Sequence, residues 1–315
     1  EEALIQQAFA LKMDEQYEEA AEAFKAVGLE TGDPITFRKE VSACMIAAEW
    51  QNTPNEERSF DIQSSIVNTS ASEYAPVFFN TDLVFTSDRD DASGDDTYNW
   101  TGRAFSDLFV KEDNSIKAID GPFNTKHNDG TISYNADLTY AVFTRCFTPT
   151  SEDQFCQLLE SRLDNGSWTL PQPLPFLEEG VNYGQPSVSE NGDVIYFSSN
   201  HSDGWGGMDI YRVSKDGEEW NEPVILPLRL NTIEDEQFPF TRMDTLYFAS
   251  SGHGGMGGLD IYKTYVRSNG EWAPVENLKY PINSGGDDFG FIIRSTRQNG
   301  KLSEGYFSSN RKEGK

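Results

Sequence analysis

Few side chains in this chain are of a type and spacing that could do chemistry. The three histidines, His127, His201 and His253, are too scattered for the short paired spacings of a zinc site. No G-x-S-x-G marks the elbow of a hydrolase serine. The three cysteines, Cys44, Cys146 and Cys156, form neither a disulfide scaffold nor a C-x-x-C knuckle, and only Cys146 and Cys156 stand close enough in sequence to suggest a pair. The stretch "DRDDASGDD", Asp88 to Asp96, clusters carboxylates as a calcium loop does. Its ligand order is not that of an EF-hand, so it reads as a solvated acidic loop. No residue is therefore assigned to catalysis, to a cofactor or to a metal.

Composition narrows the partners. The 315 residues, 37% hydrophobic and 13% aromatic, can bury a sizeable core, with room for one large domain and something smaller. Fifty-two acidic residues against 25 basic ones give a formal charge of -27. That argues against nucleic acid and against an anionic membrane surface as partner. No run approaches the ~20 apolar residues of a membrane span. The opening "EEALIQQ" reads as an acidic amphipathic helix, not as a leader.

Two regions must position whatever the chain presents. From residue 1 to 50 the apolar residues fall at helical spacing: Leu4, Ala8, Leu11; then Tyr17, Ala20, Phe24, Val27; then Ile35, Val41, Met45. This predicts a helical hairpin followed by one more helix, with "GDP" at Gly32 to Pro34 separating the last two. Residues 51–59, "QNTPNEERS", are a polar linker. From 60 to 315 the period becomes two.

The second region repeats itself. "DLVFTSDR", "LTYAVFTRC", "DVIYFSSN", "DTLYFASS" and "EGYFSSNR" are equivalent strands, with Phe85, Phe143, Phe197, Phe248 and Phe307 at one position. Four are followed by a loop and a partner strand: "SDLFV", "CQLLES", "MDIYRV" and "LDIYKT". Three partner strands end in an Asn-Gly or Asp-Gly turn ahead of Trp168, Trp220 and Trp272, which recur every 52 residues. A unit of about 50 residues with about four strands is a propeller blade. Paired glycines precede "MDIY" and "LDIY"; they are expected to close the loop before the third strand, with the aspartate accepting loop amides. Aligned on these repeats, Cys146 and Cys156 stand at the two feet of a loop that lacks the paired glycines, which predicts a disulfide there. Cys44, in a helix, is expected to be a buried free thiol.

The helical start resembles a tetratricopeptide repeat, with Ala8, Leu11, Tyr17, Ala20 and Phe24 at its packing positions. The spelling "YFSSN…GGMDIY", with "EQFPF" and "NT" before it, resembles the WD40-like, TolB-type propeller repeat. A helical start of that kind before this propeller is similar to the OmpA-family outer-membrane lipoproteins of Bacteroidota, components of type IX secretion among them. The resemblance implies a non-enzymatic periplasmic scaffold at the outer membrane, with other envelope proteins as partners. Peptidoglycan would be reached only through a domain that this stretch does not include. The rival class is a glycosidase, because "SKDGEEW", Ser214 to Trp220, resembles the Asp-box of sialidases. Their chemistry needs an arginine cluster and a tyrosine; Arg89, Arg145, Arg242, Arg294 and Arg311 lie on or just past equivalent strands.

One expectation concerns closure. Ile62 to Asn68 matches the ends of later blades and reads as an outer strand that pairs with the last unit, closing a ring of five. The last unit shows no third strand before Lys315, so the native protein is expected to continue through that strand.

Overall fold

The structure is a computed structural model and describes residues 2–53, 60–93, 97–98, 103–113, 115–147, 155–295 and 303–312. Three helices come first: α1 (Glu2–Met13), α2 (Tyr17–Glu30) and α3 (Arg38–Asn52). Ala8, Tyr17, Ala20, Ala21, Phe24, Cys44 and Ala47 form their common core. The helical face is narrower than its apolar pattern suggests. Ile35 lies in the turn before α3, and Ile35 and Met45 are 79% and 61% exposed, because α3 turns its alanines and Cys44 inward instead.

The rest is mainly β. In the first sheet β1 (Glu73–Phe79) and β2 (Asp82–Ser87) are followed by a loop carrying a separate small hairpin, β3 (Thr97–Tyr98) and β4 (Arg103–Ala104), and then by β5 (Asp107–Glu112) and β6 (Ser115–Ala118). The second has β7 (Asn128–Tyr134), β8 (Tyr140–Phe147), β9 (Phe155–Asp164), β10 (Ser167–Trp168) and β11 (Gln172–Pro173). The third has β12 (Tyr183–Val188), β13 (Val194–Ser199), β14 (Asp209–Asp216), β15 (Glu219–Trp220) and β16 (Val224–Ile225). The fourth has β17 (Glu236–Arg242), β18 (Thr245–Ser250), β19 (Asp260–Tyr265) and β20 (Glu276–Asn277). Last come β21 (Asp288–Ser295) and β22 (Ser303–Ser309), paired with each other.

Each large sheet is an antiparallel meander in chain order, as tight Gly turns dictate. Gly166, Gly217 and Gly270 take the positive φ those turns need, 82°, 63° and 81°. The first strands contact one another in sequence, β1 to β7, β7 to β12, β12 to β17, β17 to β21, and β21 back to β1. The architecture is thus a propeller with four blades and, between the fourth and the first, a strand pair. The sequence expectation of five blades is met by four among the described residues. A second correction concerns Ile62 to Asn68, which forms no strand. Val67 instead packs among Leu83, Phe85, Phe109 and Ile292, and Arg89 donates to its carbonyl at 3.1 Å.

A feature without a shared sequence spelling rings the axis. Every first strand has a register shift at the same place, and there Ala75, Thr131, Gln185, Phe238 and Gly290 adopt φ between 43° and 61°. Four of these five are not glycine, so the left-handed backbone is strained and must be held. Hydroxyls of a neighbouring unit hold it: the amides of Ala75, Thr131 and Gln185 donate to Ser308, Thr86 and Thr144. Phe238 donates to the Gln185 side chain.

Candidate functional site: the mouth of the propeller channel

Where the first strands begin, the axis widens into a cavity of about 320 Å³. Its wall is built by residues near the start of successive first strands: Tyr74 of β1, Asn128 of β7, Asn182 and Tyr183 at the start of β12, and Gln237 and Phe238 of β17. Phe289 of β21 packs against Phe238, with ring centroids 4.6 Å apart. Each position is fixed from behind. The Asn128 and Asn182 side-chain oxygens accept the amides of Ser106 and Cys156, both at 3.0 Å. Gln185 donates to the Gln237 oxygen at 3.2 Å. This leaves amide N–H groups of Asn128, Asn182 and Gln237 with no protein acceptor among the described residues. Among the described residues no charged side chain lines the cavity, in a chain of net charge -27. The site is a neutral cup of amide donors and aromatic faces, suited to a carbonyl-rich or hydroxyl-rich uncharged ligand.

The disulfide lies in this wall. Cys146 and Cys156 face each other in register across β8 and β9 and are bridged. Cys44 is a buried free thiol, pushed up to about 11 by burial.

The other sequence candidates do not gather. His127 lies against Phe147. His201 sits between Glu178 and Asp203, and the hydrogen bond to Asp203, countered by burial, raises its pKa. His253 meets the Leu230 carbonyl at 2.8 Å and is held below its usual range by burial. The arginines are dispersed too. Arg89, Arg145 and Arg311 pair with Glu73, Asp129 and Asp288 in three different units, while also donating to the carbonyls of Val67, Phe123 and Ile282. Arg294 pairs with Glu304, and Arg242 donates to the Ile293 carbonyl. Each clasps its own part of the ring, so no arginine cluster of the sialidase kind forms. Asp129, fully buried, is pushed up to about 6 by burial against the pull of Arg145.

In the acidic loop, Asp88 accepts the Ser72 amide and Ser93 binds Asp107; residues 94–96 lie outside the described residues. No cluster of three metal-ligating side chains occurs among the described residues.

No protein-family model matches the chain, and no curated protein matches it in sequence. Similar solved structures include TolB from Acinetobacter baumannii, at 13% identity over 65% of this chain and TM-score 0.38. This chain spans 46% of that protein's length. TolB from Agrobacterium tumefaciens is similar at 16% identity, over 72% of this chain and 70% of that one, TM-score 0.41. An α-L-arabinofuranosidase from Lactobacillus brevis is similar at 10% identity, over 76% and 83%, TM-score 0.49. Hydrolases thus appear beside TolB proteins, peptidases included. That corrects the expectation of a chain that is not an enzyme: proteins of similar shape include hydrolases, and the fold excludes no catalysis.

Proposed function

We propose that the protein is an interaction platform of the periplasm, with the channel mouth as its binding surface. The observation behind this is the neutral cup: free amide donors and aromatic faces, held rigid by strained backbone, at the centre of a strongly acidic chain. Such a surface recognises backbone-like polar groups without needing charge. A bridged Cys146–Cys156 in its wall fits an oxidising compartment. The ring counts five units, with β21 and β22 as the first two strands of the fifth. The partner is another envelope protein at the outer membrane, and the repeat spelling favours an envelope assembly of the type IX secretion kind. The helical unit, tetratricopeptide-like in pattern, sits on the same face over the fourth and fifth units. There Met256 enters its core, Gly285 donates to Glu15 at 3.1 Å and Lys39 to the Ser251 carbonyl at 3.4 Å.

The test is partner recovery from envelope fractions with the wild-type chain and with Gln237→Ala and Phe238→Leu variants. The expected result is a stable protein partner whose binding falls at least about tenfold in either variant. Partner binding indifferent to both substitutions removes the mouth from the account, and turnover of a glycoside that either variant abolishes replaces binding by catalysis.

A further inference from the structure

A neutral histidine ring carries one hydrogen and one lone pair, so it donates to a single acceptor. His201, in the loop between β13 and β14, faces two. Its Nδ1 lies 2.5 Å from Asp203 Oδ1 and its Nε2 lies 3.1 Å from Glu178 Oε1. Only the imidazolium donates to both. The single hydrogen of a neutral ring stays on Nδ1, because that nitrogen has the closer carboxylate and the Tyr211 hydroxyl pins the same Asp203 oxygen at 2.6 Å. The Asp203 amide also approaches Nδ1, at 3.3 Å, and is the weaker partner there. A neutral ring therefore turns its Nε2 lone pair on the Glu178 carboxylate, and attraction becomes repulsion.

The place of Glu178 gives this exchange a consequence. Glu178 precedes β12, and its amide donates to the Tyr183 hydroxyl at 3.2 Å. Four residues on, the Asn182 amide donates to the side chain of Asn200, the neighbour of His201, at 2.9 Å. Asn182 and Tyr183 form one side of the channel mouth, and Met208, at the far end of the His201 loop, lines it too. The His201–Glu178 pair and the Asn182–Asn200 bond are thus two ties between the same two segments of the wall. The surroundings favour the proton. Glu178 and Asp203 flank the ring, Asp209 acts on the Asp203 side and Glu222 on Tyr183. Tyr211 stands edge-on to the ring, 6.2 Å between centroids. The bond to Asp203 accordingly raises the histidine, against the opposing effect of burial. His253, in the equivalent loop of the fourth blade, meets the Leu230 carbonyl instead and is held low by burial.

We infer that His201 is a proton-operated clasp on the wall of the channel mouth: protonated, it ties the segment ending in Asn182 and Tyr183 to the loop ending at Met208, and deprotonated, it releases that tie. Resting on the reading of the mouth as the partner surface, the clasp makes partner binding tighter in acid and weaker as the pH rises. A wall already held in place loses less freedom on binding. Histidine is the side chain suited to this, since its charge changes within the range an envelope protein meets. Because the fold raises His201 above its ordinary value, the tie is complete below about pH 6.5 and is lost as the pH rises through the higher value of the folded state.

The experiment compares the whole chain, free of any partner, at about pH 5.5 and about pH 8. NMR titration of the histidine rings should place His201 above about 6.5 and His253 below it, and Glu178→Gln should lower His201 alone. Hydrogen exchange, corrected for the intrinsic pH dependence of amides, should show residues 178–183 about two- to fivefold better protected at the lower pH, the scale of a partly exposed ion pair. His201→Gln, neutral at both pH values, should abolish that difference. Equal protection of the wild-type segment at both pH values overturns the proposal. So does a difference that survives in His201→Gln, or a His201 that titrates below about 6.5. The protein recovered from envelope fractions should then bind the wild-type chain more tightly at the lower pH by a similar factor, and His201→Gln equally at both. Equal wild-type binding at both, with the exchange difference present, overturns the regulatory role and leaves the mouth as the partner surface. Binding indifferent to Gln237→Ala removes the mouth instead, and the clasp stands on the exchange difference.

Discussion

At the scale of single residues, the aspartates that open the third strands combine two roles. One oxygen of Asp107, Asp209 and Asp260 accepts loop amides, from Ser93, from Trp205 and Gly206, and from Gly257. The other oxygen of each is buried without a partner. Burial raises all three, and Asp260 reaches about 7, with Lys12 pulling the other way and Asp288 adding to the rise. A carboxyl raised above its unfolded value contributes stability that is complete below about pH 4 and is lost as pH rises through about 7. Asp260→Asn should therefore flatten the fall in stability between pH 5 and 8, a difference on the order of a few kcal/mol. Urea melts at the two pH values check this, and parallel wild-type and variant curves would contradict it. The amide-accepting role was legible in the "GGMD" and "GGLD" spelling. The orphaned oxygen was not, because it depends on what the neighbouring unit lays over it.

At the scale of elements, the paired glycines have a different cause from the one their sequence suggests. None of Gly206, Gly207, Gly257 and Gly258 has positive φ. A Cβ on Gly257 would lie 1.8 Å from the Gly286 carbonyl, and one on Gly206 would lie 2.4 Å from that of Glu234. These glycines let one blade's loop touch the entry to the next, where Met208 and Leu259 donate to Asp235 and Asp287. Gly257→Ala should cost about 1–3 kcal/mol or more. Gly254→Ala, with nothing within 4 Å, should stay within about 0.5 kcal/mol. Thermal melts of both variants test the contrast, and equal effects would show that the loop, not the junction, sets the requirement. The strands and Asn-Gly turns could be read in advance because period and turn chemistry are local. The bulges could not, since Ala, Thr, Gln, Phe and Gly share no spelling; only the serine or threonine that follows four of the five repeated phenylalanines points to them. Ile62 to Asn68 misled for the converse reason: it has a strand's apolar pattern, but among the described residues no third strand stands beside β22 for it to join.

At the scale of the whole molecule, the repeats made the propeller legible before any coordinates, because a unit copied along the chain must stack on its copies. The mouth was not legible in this way. Tyr74, Asn128, Asn182 and Gln237 are far apart in sequence, and only ring closure brings them around one cavity. The arginines show the reverse, being recurrent in sequence yet dispersed in space by the same ring. The central claim, that this mouth is where a partner protein binds, is tested most directly by photo-cross-linking in intact envelopes. A photoreactive residue is placed at position 237 and, as a control, at Arg162, whose side chain is half exposed on β9. The account predicts one dominant protein adduct from position 237 and none of that adduct from position 162. The same adduct from both positions, or none from 237 while the chain remains folded, would contradict it.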